Sequence, residues 1–233
     1  EGEQVNIYGN HVGSWNFAAT AYLNQWKVKI YYEHYFDDHS QMFFQYGRWK
    51  DGHIGLEITF PKNRFIDTFV YEGLGTKDQT GPMLYDSFWG KFEEQISAKD
   101  NYYNHYLYQG WQHWGMGIGN PLLPGPIYNK NGQITFISNR VLAHHIGFCG
   151  SPCQSLSYRV LLSYSRHWGT YDNPLNEIKK QFNSLFEVTY APQQLKGWSF
   201  TVSGAMDRGS LLGNNYGGML VIRKQGIIKS GNK

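Results

Sequence analysis

The sequence predicts an all-β fold: a transmembrane antiparallel up-and-down β-barrel, with nine or ten strands in this chain. Three observations predict it. Apolar and polar residues alternate with period two over most of the length, and helical periodicity is scarce. The connections between alternating segments are short and long in turn, so one end of the sheet carries tight turns and the other carries loops. Large aromatic residues (Trp26, Phe60, Phe148, Tyr190 and Trp198) stand beside the short turns, where a ring can lie among lipid head groups.

The segments follow in order. Strand 13–23 turns through Asn24-Gln25 into "WKVKIYYEHYF" (26–36). There Trp26, Val28, Ile30, Tyr32 and Phe36 share one face, and Lys27, Lys29, Tyr31, Glu33 and Tyr35 the other. Strands 53–60 and 64–72 are joined by "PKN" at 61–63. Strands 134–149 and 154–168 are joined by "GSP" at 150–152. Strands 181–191 and 197–207 are joined by "PQQLK" at 192–196, and 217–226 comes last. The longer connections are 37–52, 73–133, 169–180 and 208–216. A further strand is expected near 4–9. The best helical candidate, "NPLNEIKKQF" (173–182), is short enough to be a loop turn.

Composition narrows the class. Charged residues are 17% of the chain, below the quarter or so usual in soluble domains. No apolar window is long enough for a transmembrane helix. A spanning strand needs only about ten alternating residues, so a negative mean hydropathy does not argue against a membrane. A net charge of +3 without a run of Lys or Arg excludes nucleic acid as the expected partner. The chain opens "EGEQVN", without initiator Met or signal peptide, and reads as a mature chain or a fragment. A soluble β-sandwich with aromatic inner faces also alternates. It does not explain why loop length follows strand parity.

In "WSFTVSGAMD" (198–207) the two faces differ sharply. Trp198, Phe200, Val202 and Met206 are expected to face lipid, and Ser199, Thr201, Ser203 and Asp207 a polar lumen. Extending the same parity puts Lys27, Lys29, Glu33, Glu57, Arg159, Glu187 and Asp207 inward. Their mixed signs favour a salt-bridge network filling the interior.

The segments "GNPLLPGPIYN", "NRVLAHHIGF", "YRVLLSYSRHWGTYDNP" and "SLFEVTYAPQQLKGWSFTVSGAMDRGSLLGNNYGGMLVIRK" together resemble the Wzi-type capsule-assembly outer-membrane proteins of Bacteroidetes. The resemblance covers about residues 110 to 224. It is most specific in "DRGSLLGNNYGGML" and "HWGTYDNP". It implies a bacterial outer-membrane β-barrel of about eighteen strands, with long loops outside and short turns in the periplasm. It implies a protein that binds capsular polysaccharide and helps assemble or retain the capsule. The residues themselves offer no nucleophile with a base and no paired carboxylates, so no enzymatic activity and no cofactor are expected. Residues 1–233 would then be a single barrel domain or the C-terminal half of a larger one. The partners expected are capsular polysaccharide, outer-membrane lipid, and the N-terminal half of the same barrel or another outer-membrane subunit. The alternative is an outer-membrane channel for sugars or small solutes. A secreted glycan-active enzyme of sandwich type is a third reading.

Candidate glycan contacts concentrate in the long segment 73–133, read as an outer loop or a plug. Tyr102, Tyr103, Tyr106, Tyr108, Trp111, His113 and Trp114 fall within thirteen residues. Sugars stack their C–H faces on aromatic rings. The same rings, folded inward, would plug the lumen, and both readings stand. Asp172 and Arg208 sit at loop ends and read first as turn-shaping residues; polysaccharide contact by Arg166, Asp172 or Arg208 is the second reading. His144 and His145 are neighbours on a strand and point to opposite faces, so no shared metal is expected. Cys149 and Cys153 bracket "GSP" and are expected to be bridged across that turn. "GMGIGN" (115–120) lacks the helix of a dinucleotide motif. Glu93 and Glu94 are adjacent and have no catalytic partner in sight.

Overall fold

The computed structural model describes residues 13–36, 51–63, 65–77, 101–104 and 111–226, and the backbone of 80–82 and 97–99. In chain order the strands are β1 (Gly13–Leu23), β2 (Trp26–Phe36), β3 (Gly52–Thr59), β4 (Thr68–Gly75), β5 (Thr80–Pro82), β6 (Ser97–Lys99), β7 (Gln112–His113), β8 (Met116–Gly117), β9 (Val141–Cys153), β10 (Leu156–Gly169), β11 (Pro174–Tyr190), β12 (Trp198–Gly209) and β13 (Asn215–Lys224). β5–β6 and β7–β8 are small separate ladders. The other nine strands form one antiparallel sheet in the order β1-β2-β3-β4-β9-β10-β11-β12-β13. Each therefore pairs with its neighbours along that path, and the sheet is all-β and up-and-down. β1 and β13 are its edges, and no ladder joins them among the described residues. The nine expected strands are all present, and the tenth near 4–9 lies outside the described residues.

One parity runs through all nine strands. The registers Ala19↔Ile30, Ile30↔Leu56, Leu56↔Tyr71, Tyr71↔Ile146, Ile146↔Leu162, Val160↔Phe186, Val188↔Val202 and Val202↔Leu220 carry one apolar face from edge to edge. The opposite face carries Lys27, Glu57, His145, Ser163, Glu187, Ser203 and Asp207. Burial is inverted relative to a soluble protein. Phe17, Ile30, Ile54, Phe186, Val202 and Leu220 are exposed, while Ser165, His167, Gln181 and Ser203 are buried. In a soluble sheet the apolar face is the one packed away from water, because burying apolar area drives folding there.

The main hydrophobic core lies at one end of the polar face. Leu74, Val141 and Ala143 of β4 and β9 pack with Leu123 of the long connection, and Tyr35, Tyr103 and Leu122 pack against them. The ends of that connection are clipped together. Thr76 N–H donates to the Val141 carbonyl at 2.8 Å, and the Thr76 hydroxyl donates to the Asn139 carbonyl at 2.7 Å. Part of the long connection 76–140 thus folds over the polar face instead of standing clear of the sheet.

Three expectations are corrected. First, β11 begins at Pro174, so 173–182 is largely strand and not a helical turn. Leu175, Ile178 and Phe182 are spaced as on a helix, but the ladder to β10 (His167↔Lys179, Arg166↔Lys180, Ser165↔Gln181) decides the conformation. Second, the connections there are consequently tight, at 170–173 and 210–214. Gly169 takes a left-handed φ of 83°, and the Thr170 hydroxyl accepts the Asn173 N–H at 2.9 Å. Long connections at that end of the sheet are 37–51 and 76–140. Third, "GSP" is part of β9, and the hairpin turn is Gln154-Ser155. Cys149 and Cys153 lie on one strand and are free thiols. Four residues of extended chain span on the order of 10 Å, beyond the reach of a disulfide. Phe148 accordingly stands inboard of its turn, whereas Trp26, Phe60, Tyr190 and Trp198 border theirs.

Candidate functional site

Two sites emerge: a paired network on the polar face and a cleft at the end that carries the long connections. On the polar face the expected inward residues find partners, Lys29 on its own strand and the others across strands. Lys27 Nζ lies 3.3 Å from Glu57, and an Arg159 guanidinium nitrogen 3.2 Å from Glu187. Glu187 also accepts the Ser203 hydroxyl at 2.9 Å, and Asp207 accepts the Asn183 amide at 2.7 Å. Lys29 sits over the Tyr31 ring at 5.2 Å. Glu33 lies 3.1 Å from His53 Nδ1 and accepts the Tyr35 hydroxyl at 3.3 Å.

His53 and Glu72, which the sequence reading did not single out, complete that last cluster with Tyr31, which it placed on this face without a partner. His53 Nε2 lies 3.5 Å from Glu72, so the imidazole bridges carboxylates on both flanking strands. Tyr31 donates its hydroxyl to Glu72 from two strands away. It reaches because Gly55 stands between them: a Cβ there would lie 2.0 Å from the ring. A glycine inside a strand marks such a close approach, and Gly55 was the available signal. His144 and His145 diverge as expected. His144 Nδ1 lies 2.8 Å from the Tyr71 hydroxyl on the apolar face, and His145 Nδ1 2.7 Å from the Ser163 hydroxyl on the polar face.

The described residues among the expected glycan contacts separate into four groups. Tyr102 is only 6% exposed and donates to Asp51 at 3.1 Å, and Tyr103 stacks on Phe136 with centroids 5.2 Å apart. These two rings pack the connection down. Trp111 and His113 are partly and largely exposed, and Trp114, at the tip of the β7–β8 hairpin, is 84% exposed. His113 meets Trp114 edge-on at 6.2 Å. Tyr106, Tyr108, Glu93 and Glu94 lie outside the described residues. Arg166 and Arg208 are exposed on the apolar face of β10 and β12, pointing away from the polar side. Arg166 falls within a strand as expected, whereas Arg208, read from the sequence as a loop-end residue, belongs to the sheet because β12 runs on to Gly209.

Asp172 has a different setting. It lies in the 170–173 turn and lines a cleft of about 1110 Å³ between that hairpin and the stretches 101–104 and 132–137. Asn101, Gln133, Thr135, Asn173 and Asn176 also line it, with Ile134, Phe136, Ile137, Pro174 and Leu175 as its apolar part. The wall is built locally. Asn104 mimics a strand partner for Phe136, accepting its N–H at 2.8 Å and donating to its carbonyl at 2.9 Å. The Asn129 amide ties the carbonyls of Gln133 and Thr135 at 2.6 and 2.7 Å. The run "NKNG" at 129–132 was the available signal for this wall and was missed; as a turn former it gives no sign of which hairpin it would face. Behind the cleft, Ser138, His167 and Ser165 form a hydrogen-bonded chain, with Ser165 2.9 Å from His167 Nε2. All three are buried, so no substrate reaches them in this arrangement.

Amides, hydroxyls, one carboxylate and a few apolar side chains around an open cleft make a surface that hydrogen-bonds polyols and stacks their C–H faces. The site holds no concentration of one charge sign. Comparison of the chain with protein-family models, with curated proteins and with solved structures finds no match.

Proposed function

We propose that this chain is wall and outer rim of a bacterial outer-membrane β-barrel that binds surface polysaccharide and helps hold or assemble a capsule. The observation that carries the reading is the inverted burial of the nine-stranded sheet. Its apolar face is exposed or half-exposed from edge to edge, and its charge-bearing face is paired and partly covered. Lipid is the solvent for which that inversion is favourable. Strand length agrees. Eleven residues in β1 and β2, at about 3.3 Å each and tilted about 40°, rise roughly 28 Å, close to the apolar band of such barrels. The edges β1 and β13 need partners in a bilayer, and further strands of the same barrel or of another subunit supply them in this reading.

The cleft beside Asp172 and the exposed Trp114 are the glycan-contacting elements. Each contact is weak, and a repeating polymer gains retention by engaging many copies. Packing of the long connection over the polar face speaks for adhesion ahead of conduction. The test has two parts. The protein is expected to leave membranes only with detergent and to migrate differently on a gel before and after heating. Purified capsular glycan should co-sediment with it, and Asp172→Ala combined with Asn176→Ala and Trp114→Ala should lower retention at least about tenfold. Recovery in buffer without detergent sinks the membrane reading. Steady single-channel current without glycan retention supports the channel instead.

A further inference from the structure

We propose that the apolar face of β10, β11 and β12 carries a binding site for one phosphate-bearing membrane lipid, with a cationic headgroup seat above an acyl groove. The inference rests on the membrane reading and concerns a surface that the glycan cleft does not use.

The headgroup seat is Arg166, Lys180 and Arg208. Arg166 and Lys180 are direct cross-strand partners, and Arg208 pairs with Phe182, which makes it the diagonal neighbour of Lys180. The three cations therefore occupy adjacent strands at one level, within a span of roughly 10 Å. All three are exposed, and none has an ion-pair partner among the described residues. The Trp168 ring adjoins them, with Arg166 at 5.3 Å and Lys77 at 5.4 Å.

Charge on the sheet is segregated in a way that packing does not require. The carboxylates of β2, β3, β4, β11 and β12 that find partners across strands, namely Glu33, Glu57, Glu72, Glu187 and Asp207, lie on the polar face. Lys27 and Arg159 lie there too, paired with Glu57 and Glu187. Arg166, Lys180 and Arg208 stand on the other face, where no carboxylate of the same three strands follows their parity. Unneutralised guanidinium and ammonium groups at the edge of an apolar band seek anions, and guanidinium pairs with phosphate in bidentate fashion.

The acyl groove lies directly beneath. Ser184 pairs with Met206 one row below Phe182 and Arg208, and Phe186 pairs with Gly204 in the next row. Leu162, Ser184, Phe186, Gly204, Met206 and Tyr216 line a depression of about 310 Å³. It is open because Gly204 has no side chain: a Cβ built there meets nothing within 4 Å. Seat and groove share three strands and follow one line down the sheet, which suits a lipid with its head at the interface and a chain along the wall.

The test uses the full protein purified in detergent, with lipid A bisphosphate as probe and native mass spectrometry and titration as readouts. Wild type should bind it, and dephosphorylated lipid A should bind at least about tenfold more weakly. The triple variant R166Q/K180Q/R208Q should lose about 10- to 100-fold in affinity, in keeping with three interfacial cations. Gly204→Leu should fill the groove and weaken lipid binding several-fold, with binding of soluble glycerol phosphate unchanged. Equal affinity in wild type and triple variant, both still detergent-dependent and heat-modifiable, overturns this proposal and leaves the membrane reading standing. Inorganic phosphate bound as tightly as the lipid would mark a free-anion site and also overturns it. Wild type that stays monodisperse without detergent removes both.

Discussion

Substituting Val202 with Arg separates lipid from water as the environment of the apolar face. Val202 is central in β12, four residues from Trp198 at the short-turn end and six from Arg208 at the other. With about 3.3 Å per residue and a tilt near 40°, it lies roughly 10 Å from the aromatic border and roughly 15 Å from the cationic row. Its side chain is already 61% exposed. In water, a swap at such a position changes stability by about 0.5 kcal/mol or less. Near the middle of a bilayer an Arg on the lipid face costs about 2–4 kcal/mol, a shift of roughly 30- to 900-fold in the unfolding equilibrium. Ile222 supplies the depth control. It pairs with Phe200, lies near the short-turn end and is also exposed. Ile222→Arg should cost about 1 kcal/mol or less, because penalties fall off toward the interface. The assay is reversible denaturant titration in phosphatidylcholine vesicles, followed by tryptophan fluorescence. A Val202→Arg penalty no larger than that of Ile222→Arg, with both near zero, refutes the assignment of this face to lipid.

Other substitutions probe the polar side. Gly55→Ala should drive the Tyr31 ring off Glu72 and cost about 1–3 kcal/mol, read from the same titration; a neutral result would mean the ring does not cross β3 as described. Gln181, 2% exposed, receives the Leu212 N–H at 3.1 Å and donates to the Gly213 carbonyl at 3.3 Å. Gln181→Ala should cost about 1–3 kcal/mol by leaving those groups unsatisfied, and should speed hydrogen exchange or proteolysis within 210–214. Both cysteines should react with maleimide without prior reduction, the exposed Cys153 faster than Cys149; a thiol count of zero would overturn the β9–β10 register.

Most of the sheet was legible in the sequence because its two faces meet different surroundings. A one-residue slip would exchange Val202 for Ser203 and Leu162 for Ser163, so alternation alone fixes the parity. Element ends were less legible. β11 begins seven residues earlier than the apolar pattern indicated because Glu177, Lys179 and Lys180 carry no strand signal of their own, and the ladder to β10 decides. "GSP" contains turn-forming residues, yet the hairpin closes at Gln154-Ser155, where the register of Cys153 with Leu156 places it. In the candidate site, composition announced an aromatic loop but not its sides. Tyr102 and Trp114 are chemically alike in the sequence. One is buried against Asp51 and the other stands at a hairpin tip, a difference set by long-range packing.

The order of the strands also bears on how the sheet is assembled. Eight ladders hold the nine strands, and seven of them join chain neighbours through connections much shorter than the one between β4 and β9. Closing that long connection carries the largest chain-entropy cost. Two panels, β1–β4 and β9–β13, can therefore form separately and meet at a single seam, with the Thr76–Val141 clasp as the stitch that locks it.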